Sequence, residues 1–156
     1  LKLVYLLKKD GFDIKLLIIG SGQQEKELIK ITEDCKITNE VVFTNQVKNV
    51  RDYMDCCDLQ VHLSESEASN NVVKEFALLG KPSIICKNVG DFEDYCTNEN
   101  SYLIKKDFDI VNLKSIIIQI INNKQELKIK GEEIRKIIKS LFTLDNVIPK
   151  YLDIFK

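Results

Sequence analysis

Neither sign of charge prevails in this sequence: 23 Lys and Arg stand against 24 Asp and Glu, a formal net charge of −1 over 156 residues. That balance argues against the basic field that holds nucleic acid or an anionic membrane. Long apolar runs are also missing. Leu16 to Ile19 and Ile116 to Ile118 fall far short of the roughly 20 residues a membrane span needs, and no stretch reads as a signal peptide. The five cysteines (Cys35, Cys56, Cys57, Cys86, Cys96) form an odd set without C-x-x-C, and His62 is the sole histidine. A disulfide frame and a zinc site are therefore both disfavoured. Reduced thiols, mostly buried and inert, are expected instead.

What the sequence does contain is a regular alternation. With 44% apolar and 30% charged residues it is long enough to bury the core of one domain, spanning 1–156. Leu3 to Lys9 reads as the end of a helix stopped by Asp10-Gly11. Ile14 to Gly20 is a short apolar run closed by glycine, the pattern of a strand buried on both faces. Leu28, Ile31 and Cys35 then recur at helical spacing. Strands follow at Val41 to Phe43, Leu59 to Leu63, Ser83 to Cys86 and Tyr102 to Ile104, with helices at Val50 to Cys56 and Asn71 to Leu79. Past an acidic turn at Asp91 to Asp94, Ile110, Leu113, Ile117 and Ile120 mark one helical face, and Leu127, Ile134, Ile137 and Leu141 another. No repeat or low-complexity linker interrupts the order. The alternation implies an α/β fold with a Rossmann-like, doubly wound parallel sheet covered on both faces.

Such sheets bind ligands at the C-terminal ends of their strands, where Gly20-Ser21-Gly22, Ser64 to Asn71 and Asn88 to Gly90 all fall. The first is not a full dinucleotide fingerprint, because Glu25 stands where G-x-G-x-x-G needs its third glycine. An NAD-dependent dehydrogenase is therefore disfavoured. So is a phosphate-accepting receiver domain, since no acidic residue ends the Ile14 to Gly20 strand. The stretch Ser64 to Pro82, SESEASNNVVKEFALLGKP, places Glu67 and Glu75 eight residues apart across a helix start and a Gly-Lys-Pro stop. A carboxylate before a helix N-terminus and another about one turn inside it can both face a ligand whose phosphates meet that N-terminus. Ser69-Asn70-Asn71 is also a credible N-cap, which would compete with a ligand for the same amides.

Ser66, Glu67, Glu75, Gly80, Lys81 and Pro82 match the Glu-x7-Glu signature of the retaining GT-B glycosyltransferases of group 1 (family 4), in a frame like SEGFGLVLLEAMACGKPVI. The order of other segments strengthens the match: GSG at Gly20 to Gly22, VVFTNQV at Val41 to Val47, CCDLQVHLS at Cys56 to Ser64 and NVG at Asn88 to Gly90. The chain thus resembles the C-terminal, donor-binding half of that fold over most of its length. The resemblance implies that Glu67 holds hydroxyls of the transferred sugar and stabilises positive charge at the anomeric carbon, while Glu75 accepts from both ribose hydroxyls. Glu65 would replace Glu67 in a shifted alignment that loses the eight-residue offset. Amides around Asn70, Asn71 and Val72 would receive phosphate oxygens, Gly20 and Gly22 would line the donor cleft, and Val47 with Lys48 would present backbone to the base. His62 reads as a core or rim side chain satisfied by hydrogen bonds, close to Ser64 and Glu67. The family usually has Gly-Phe-Gly where this chain has Ala68-Ser69-Asn70, and glycine permits backbone paths that alanine and asparagine resist.

The expected donor is a UDP- or GDP-sugar with no metal or other cofactor, because fixed positive groups can stabilise the departing diphosphate. In the family these are an Arg and a Lys after the domain's first strand. The sequence begins at Leu1, without an initiator Met, inside what reads as the following helix. The expectation is therefore a fragment lacking that strand, those basic residues and the N-terminal acceptor domain, with activity belonging to the parent enzyme. The parent's expected acceptor is a glycan or lipid-linked molecule, its setting cytoplasmic, and peripheral attachment at the inner membrane face is compatible with it. Two other classes stay open: a nucleotide-sugar 2-epimerase half and a non-enzymatic α/β interaction domain.

Overall fold

The computed structural model describes residues 1–155. They form two compact units, Leu1–Cys56 with Asp109–Gln119, and a second from Cys57 to Phe108 and from Ile120 onward. In the first unit, α1 (Lys2–Lys9) stops at Gly11, whose φ of +86° glycine adopts without a Cβ penalty. Strands β1 (Leu16–Ile18) and β2 (Val41–Phe43) pair in parallel, Leu16 opposite Val41 and Ile18 opposite Phe43, joined through α2 (Glu25–Asp34). Val4, Ile37 and Val41 form the buried centre, with Leu1, Ile14, Leu16, Ile18, Cys35 and Phe43 packed against it. Helix α3 (Val50–Asp55) follows, and α5 (Ile110–Asn122) contributes residues to both units. Contrary to the expectation of burial on both faces, all three β1 residues are only half-buried, and among the described residues β1 has a hydrogen-bonded neighbour, β2, on one edge alone.

In the second unit, β3 (Gln60–His62), β4 (Ser83–Cys86) and β5 (Tyr102–Ile104) pair in parallel in that order. Every residue of the central strand β4 is buried. Its one polar side chain is accommodated by a hydrogen bond, Ser83 Oγ donating to Gln60 Oε1 at 2.6 Å on β3. Helix α4 (Asn71–Leu78) crosses from β3 to β4 and buries Val73, Phe76 and Ala77. A 3₁₀ turn (Phe92–Asp94) follows β4, and α6 (Lys124–Phe142) and α7 (Leu144–Ile154) close the unit. The parallel α/β class is as the alternation implied. The ladder, however, divides into two sheets, because among the described residues no strand bonds to both β1 and β3.

Two other points differ from the sequence expectation. Helix α7 has no counterpart in it: Pro149 lies inside the helix, where it removes a backbone donor, and none of the helix's residues is buried to reveal an apolar face. Of the cysteines only Cys86 and Cys96 are buried, while Cys56 is exposed at the C-cap of α3, its Sγ 3.1 Å from the Tyr53 carbonyl. No disulfide joins any of the five. Among the described residues, no helix is long and apolar enough to cross a membrane.

Helix α6 packs on α4, and its Gly131 meets Gly80 just past the end of α4. A Cβ on Gly131 would overlap the carbonyl oxygen of Gly80 and lie 2.9 Å from its carbonyl carbon and 3.4 Å from Pro82 Cδ, so the helix can sit here only without a side chain. The obstacle is backbone, which cannot swing aside as a flexible side chain can. Gly131→Ala should therefore lower the unfolding free energy by about 1–2 kcal/mol, an overpacking cost at the upper end of about 1–3 kcal/mol less the gain of about 1 kcal/mol in helix propensity. A lower urea midpoint with unchanged slope is the expected readout. An unchanged or raised midpoint would contradict the close approach.

Candidate functional site

Strand β3 ends at His62, and the chain turns through residues 63–70 into α4. Within that turn Glu67 Oε1 lies 3.0 Å from His62 Nε2, with side chains 24% and 20% exposed, so both are reachable from solvent. Asn70 has extended backbone (φ −101°, ψ 113°) and caps α4, its Oδ1 accepting the Val73 N–H at 3.2 Å. The Asn70 side chain also bonds Glu67. That bond first, then Ser64, and lastly the hydrogen bond and charge of His62, hold the Glu67 carboxyl below its ordinary 4.5 despite partial burial. An ionised carboxylate only accepts, so the proton between the pair sits on His62 Nε2 and is donated to Glu67. The imidazole is itself located by edge-on packing against Phe92, ring centres 5.5 Å apart at 89°.

A second loop lies against Glu67. After β4 the chain passes through Asn88 (φ +56°) and Gly90 (φ +53°), and the Asn88 N–H donates to Glu93 Oε2 at 3.0 Å. A Cβ on Gly90 would stand 3.0 Å from the Glu67 carbonyl oxygen and 3.1 Å from that of Ala68, so this turn rests directly on the backbone that carries Glu67. Next to it, Asp91 Oδ2 accepts from Lys74 Nζ at 2.6 Å and from Ser69 Oγ at 2.8 Å. Burial pushes the Asp91 carboxyl up, but the Lys74 and Ser69 hydrogen bonds and the Lys74 charge bring it below its ordinary value. Burial and the neighbouring Asp91 carboxylate push the Tyr95 hydroxyl well up, leaving it a proton donor toward Asp91 Oδ1 at 3.3 Å.

The expected site residues divide between the two units. Glu67, Asn70, Asn71, Val72 and Glu75 gather around the start of α4, where Asn71, Val72 and Glu75 are exposed. Because Asn70 occupies the Val73 amide, the N–H groups of Asn71 and Val72 remain the ones in position for an anion at this helix start. Gly20, Gly22 and Val47 belong to the other unit. Gly20 has φ +109° and follows β1, and together with Gly22, Leu28 and Phe43 it borders an open pocket of 480 Å³. Replacement of Gly-Phe-Gly by Ala68-Ser69-Asn70 does not strain the loop, since none of the three has positive φ. His62 proves to be satisfied by Glu67 itself rather than by an unrelated partner. Lys74 and Asp91 went unread because residues 17 apart carry no local signal of pairing. No cluster of three or more His, Cys, Asp or Glu suited to a metal occurs among the described residues.

These parallel strands with helical crossovers have the Rossmann-like α/β fold of a GT-B domain. The chain belongs to the family described as glycosyl transferases group 1, whose model matches residues 1–137. It is similar to N-acetyl-alpha-D-glucosaminyl L-malate synthase of Bacillus anthracis, 24% identical over 143 residues, which cover 92% of this chain and 37% of that protein. It is also similar to a poly(ribitol-phosphate) alpha-N-acetylglucosaminyltransferase of Staphylococcus aureus, 23% identical over 152 residues, 96% of this chain and 30% of the other. The chain thus spans about a third of the length of these curated relatives. Among solved structures, Anabaena Alr3699/HepE in complex with UDP superposes with a TM-score of 0.84 at 20% identity, over 99% of this chain and 44% of that one.

Asn70 has two jobs that one substitution separates from folding. Asn70→Ala should cost about 1 kcal/mol of stability through the lost cap. It should also raise the Glu67 pKa toward 4.5, followed by carboxyl carbon NMR. The sign follows from linkage: a carboxyl held low in the folded state stabilises it above its ordinary value, and this contribution disappears as pH falls through the lowered one. Cap loss with an unmoved Glu67 would mean that Asn70 does not orient the carboxylate.

Proposed function

We propose that this chain is the donor-binding part of a longer retaining GT-B glycosyltransferase of family 4, one that moves a hexosyl group from a nucleotide diphosphate sugar to a glycan or lipid-linked acceptor. The observation that carries the proposal is the ionised Glu67, held by Asn70, Ser64 and His62 beside the open start of α4. A carboxylate so fixed can accept from sugar hydroxyls and face the positive charge that develops at the anomeric carbon as the sugar–phosphate bond breaks. The Asn71 and Val72 amides are suited to phosphate oxygens, and Glu75, exposed farther along α4, to ribose hydroxyls, where hydrogen bonds to a charged acceptor contribute about 1.5–3 kcal/mol each.

A UDP-sugar is the favoured donor, because a structural neighbour is described in complex with UDP and both curated relatives are named for N-acetylglucosaminyl products or transfer. We assign the departing diphosphate to amides and to basic groups elsewhere in the polypeptide, without a metal. The acceptor site belongs in this reading to the portion of the relatives that this chain does not span.

Ligand-observed NMR of the chain with UDP-, GDP- and ADP-sugars, wild type against Glu75→Ala, tests the reading. Saturation transfer to the UDP-sugar is expected, with affinity about tenfold lower in the variant, equivalent to the loss of one charge-assisted hydrogen bond at about 1.4 kcal/mol. Binding insensitive to Glu75, or preference for a ligand without a sugar nucleotide, would remove the donor assignment.

A further inference from the structure

Lys74 is a cation in an unusual setting for a helix surface. Its side chain is 12% exposed and its ammonium lies 4.6 Å from the centre of the Phe142 ring and 5.4 Å from that of Tyr95. Burial of a lysine is costly unless the charge is matched, and here it is matched on every side: by Asp91 Oδ2 at 2.6 Å, by Ser69 Oγ at 2.6 Å and by the two ring faces. Ser69 also donates to Asp91, closing a triangle. Each corner belongs to a different segment: Ser69 to the loop before α4, Lys74 to α4 itself, Asp91 to the turn after β4.

Two corners flank Glu67. Ser69 follows it by two residues on the same loop, and Asp91 adjoins Gly90, whose turn rests on the carbonyl oxygens of Glu67 and Ala68. We propose that Lys74 is a positioning residue for Glu67: it draws the turn after β4 and the loop before α4 onto one half-buried charge, so the carboxylate is held from both sides without Lys74 touching the ligand. The role of Glu67 toward the donor sugar rests on the function proposed above; the geometric link does not. Lys74 therefore sets how accurately the sugar carboxylate is placed, while Glu75, reaching the ligand from the exposed side of α4, sets nucleotide affinity independently.

The sole histidine makes a site-specific reporter. Its Nε2 donates to Glu67, so the nitrogen-15 and proton shifts of that N–H read the position of the carboxylate directly, with Glu67→Ala as the unpartnered reference. Lys74→Met should move the His62 signal toward that reference and Lys74→Arg should restore it, because a guanidinium can bond Asp91 and stack on one of the two rings. In the full-length transferase, Lys74→Met should reduce kcat on the order of 10- to 100-fold, the scale carried by a misplacement of about 1 Å, while affinity for free UDP stays within twofold of wild type. An unmoved His62 signal in folded Lys74→Met would overturn the proposal, as would equal loss of UDP affinity and kcat, which denotes general damage to α4. If Lys74→Met does not fold, Ser69→Ala cuts only the link to the Glu67 loop and must shift the His62 signal in the same direction; no shift overturns the proposal. A shifted His62 signal in a protein that binds no sugar nucleotide would uphold the positioning and remove the transferase reading alone.

Discussion

One asparagine ties the start of a helix to a carboxylate. Asn70 gives its side-chain oxygen to the Val73 amide and its bond to Glu67, so the geometry of α4 and the placement of Glu67 are a single constraint. Without the cap, α4 would begin with an additional unsatisfied amide. Everything else at this end of the sheet is arranged around that junction. His62 approaches from β3, the Gly90 turn lies beneath, and the Lys74–Asp91 pair closes the far side.

The aromatic side chains explain how polar groups are kept in place so near the surface. His62, Phe92, Tyr95 and Phe142 follow one another edge to face, with ring centres 5.5, 6.4 and 5.6 Å apart. Phe92 and Tyr95 are buried, so the chain of rings is anchored in the interior and presents His62 at one end and a platform for Lys74 at the other. Edge-to-face pairs resist rotation because the positive rim of one ring meets the negative face of the next. A histidine so packed donates to Glu67 from a fixed direction, and a lysine so packed keeps its charge where Asp91 and Ser69 meet.

Much of the fold was legible. Strands at Val41–Phe43, Ser83–Cys86 and Tyr102–Ile104 coincide with their apolar runs, because short β-branched stretches bounded by turn residues have few alternatives. The start of α4 was legible for the same local reason, since Asn70 is a capping residue by chemistry. Helix α7 was not, because Pro149 argues against a helix and no buried face argues for one. The division into two sheets was not either: strand alternation gives the order of elements along the chain and is silent on which edges find a hydrogen-bonding neighbour.

The sequence by itself determined the α/β class, where the strands end, and the eight-residue offset of Glu67 and Glu75 across a helix start, because capping, periodicity and motif spacing act over a few residues. Only the tertiary structure decided that His62 is the partner of Glu67, that the Gly90 turn lies against the Glu67 backbone, and that Lys74 is paired with Asp91. The Gly90 and Lys74 contacts depend on segments brought together by parallel pairing of β3 with β4 and by the packing of α6 on α4. Side chains 17 or more residues apart meet there because the crossover between parallel strands returns the chain to the same edge, a geometry that no local pattern encodes.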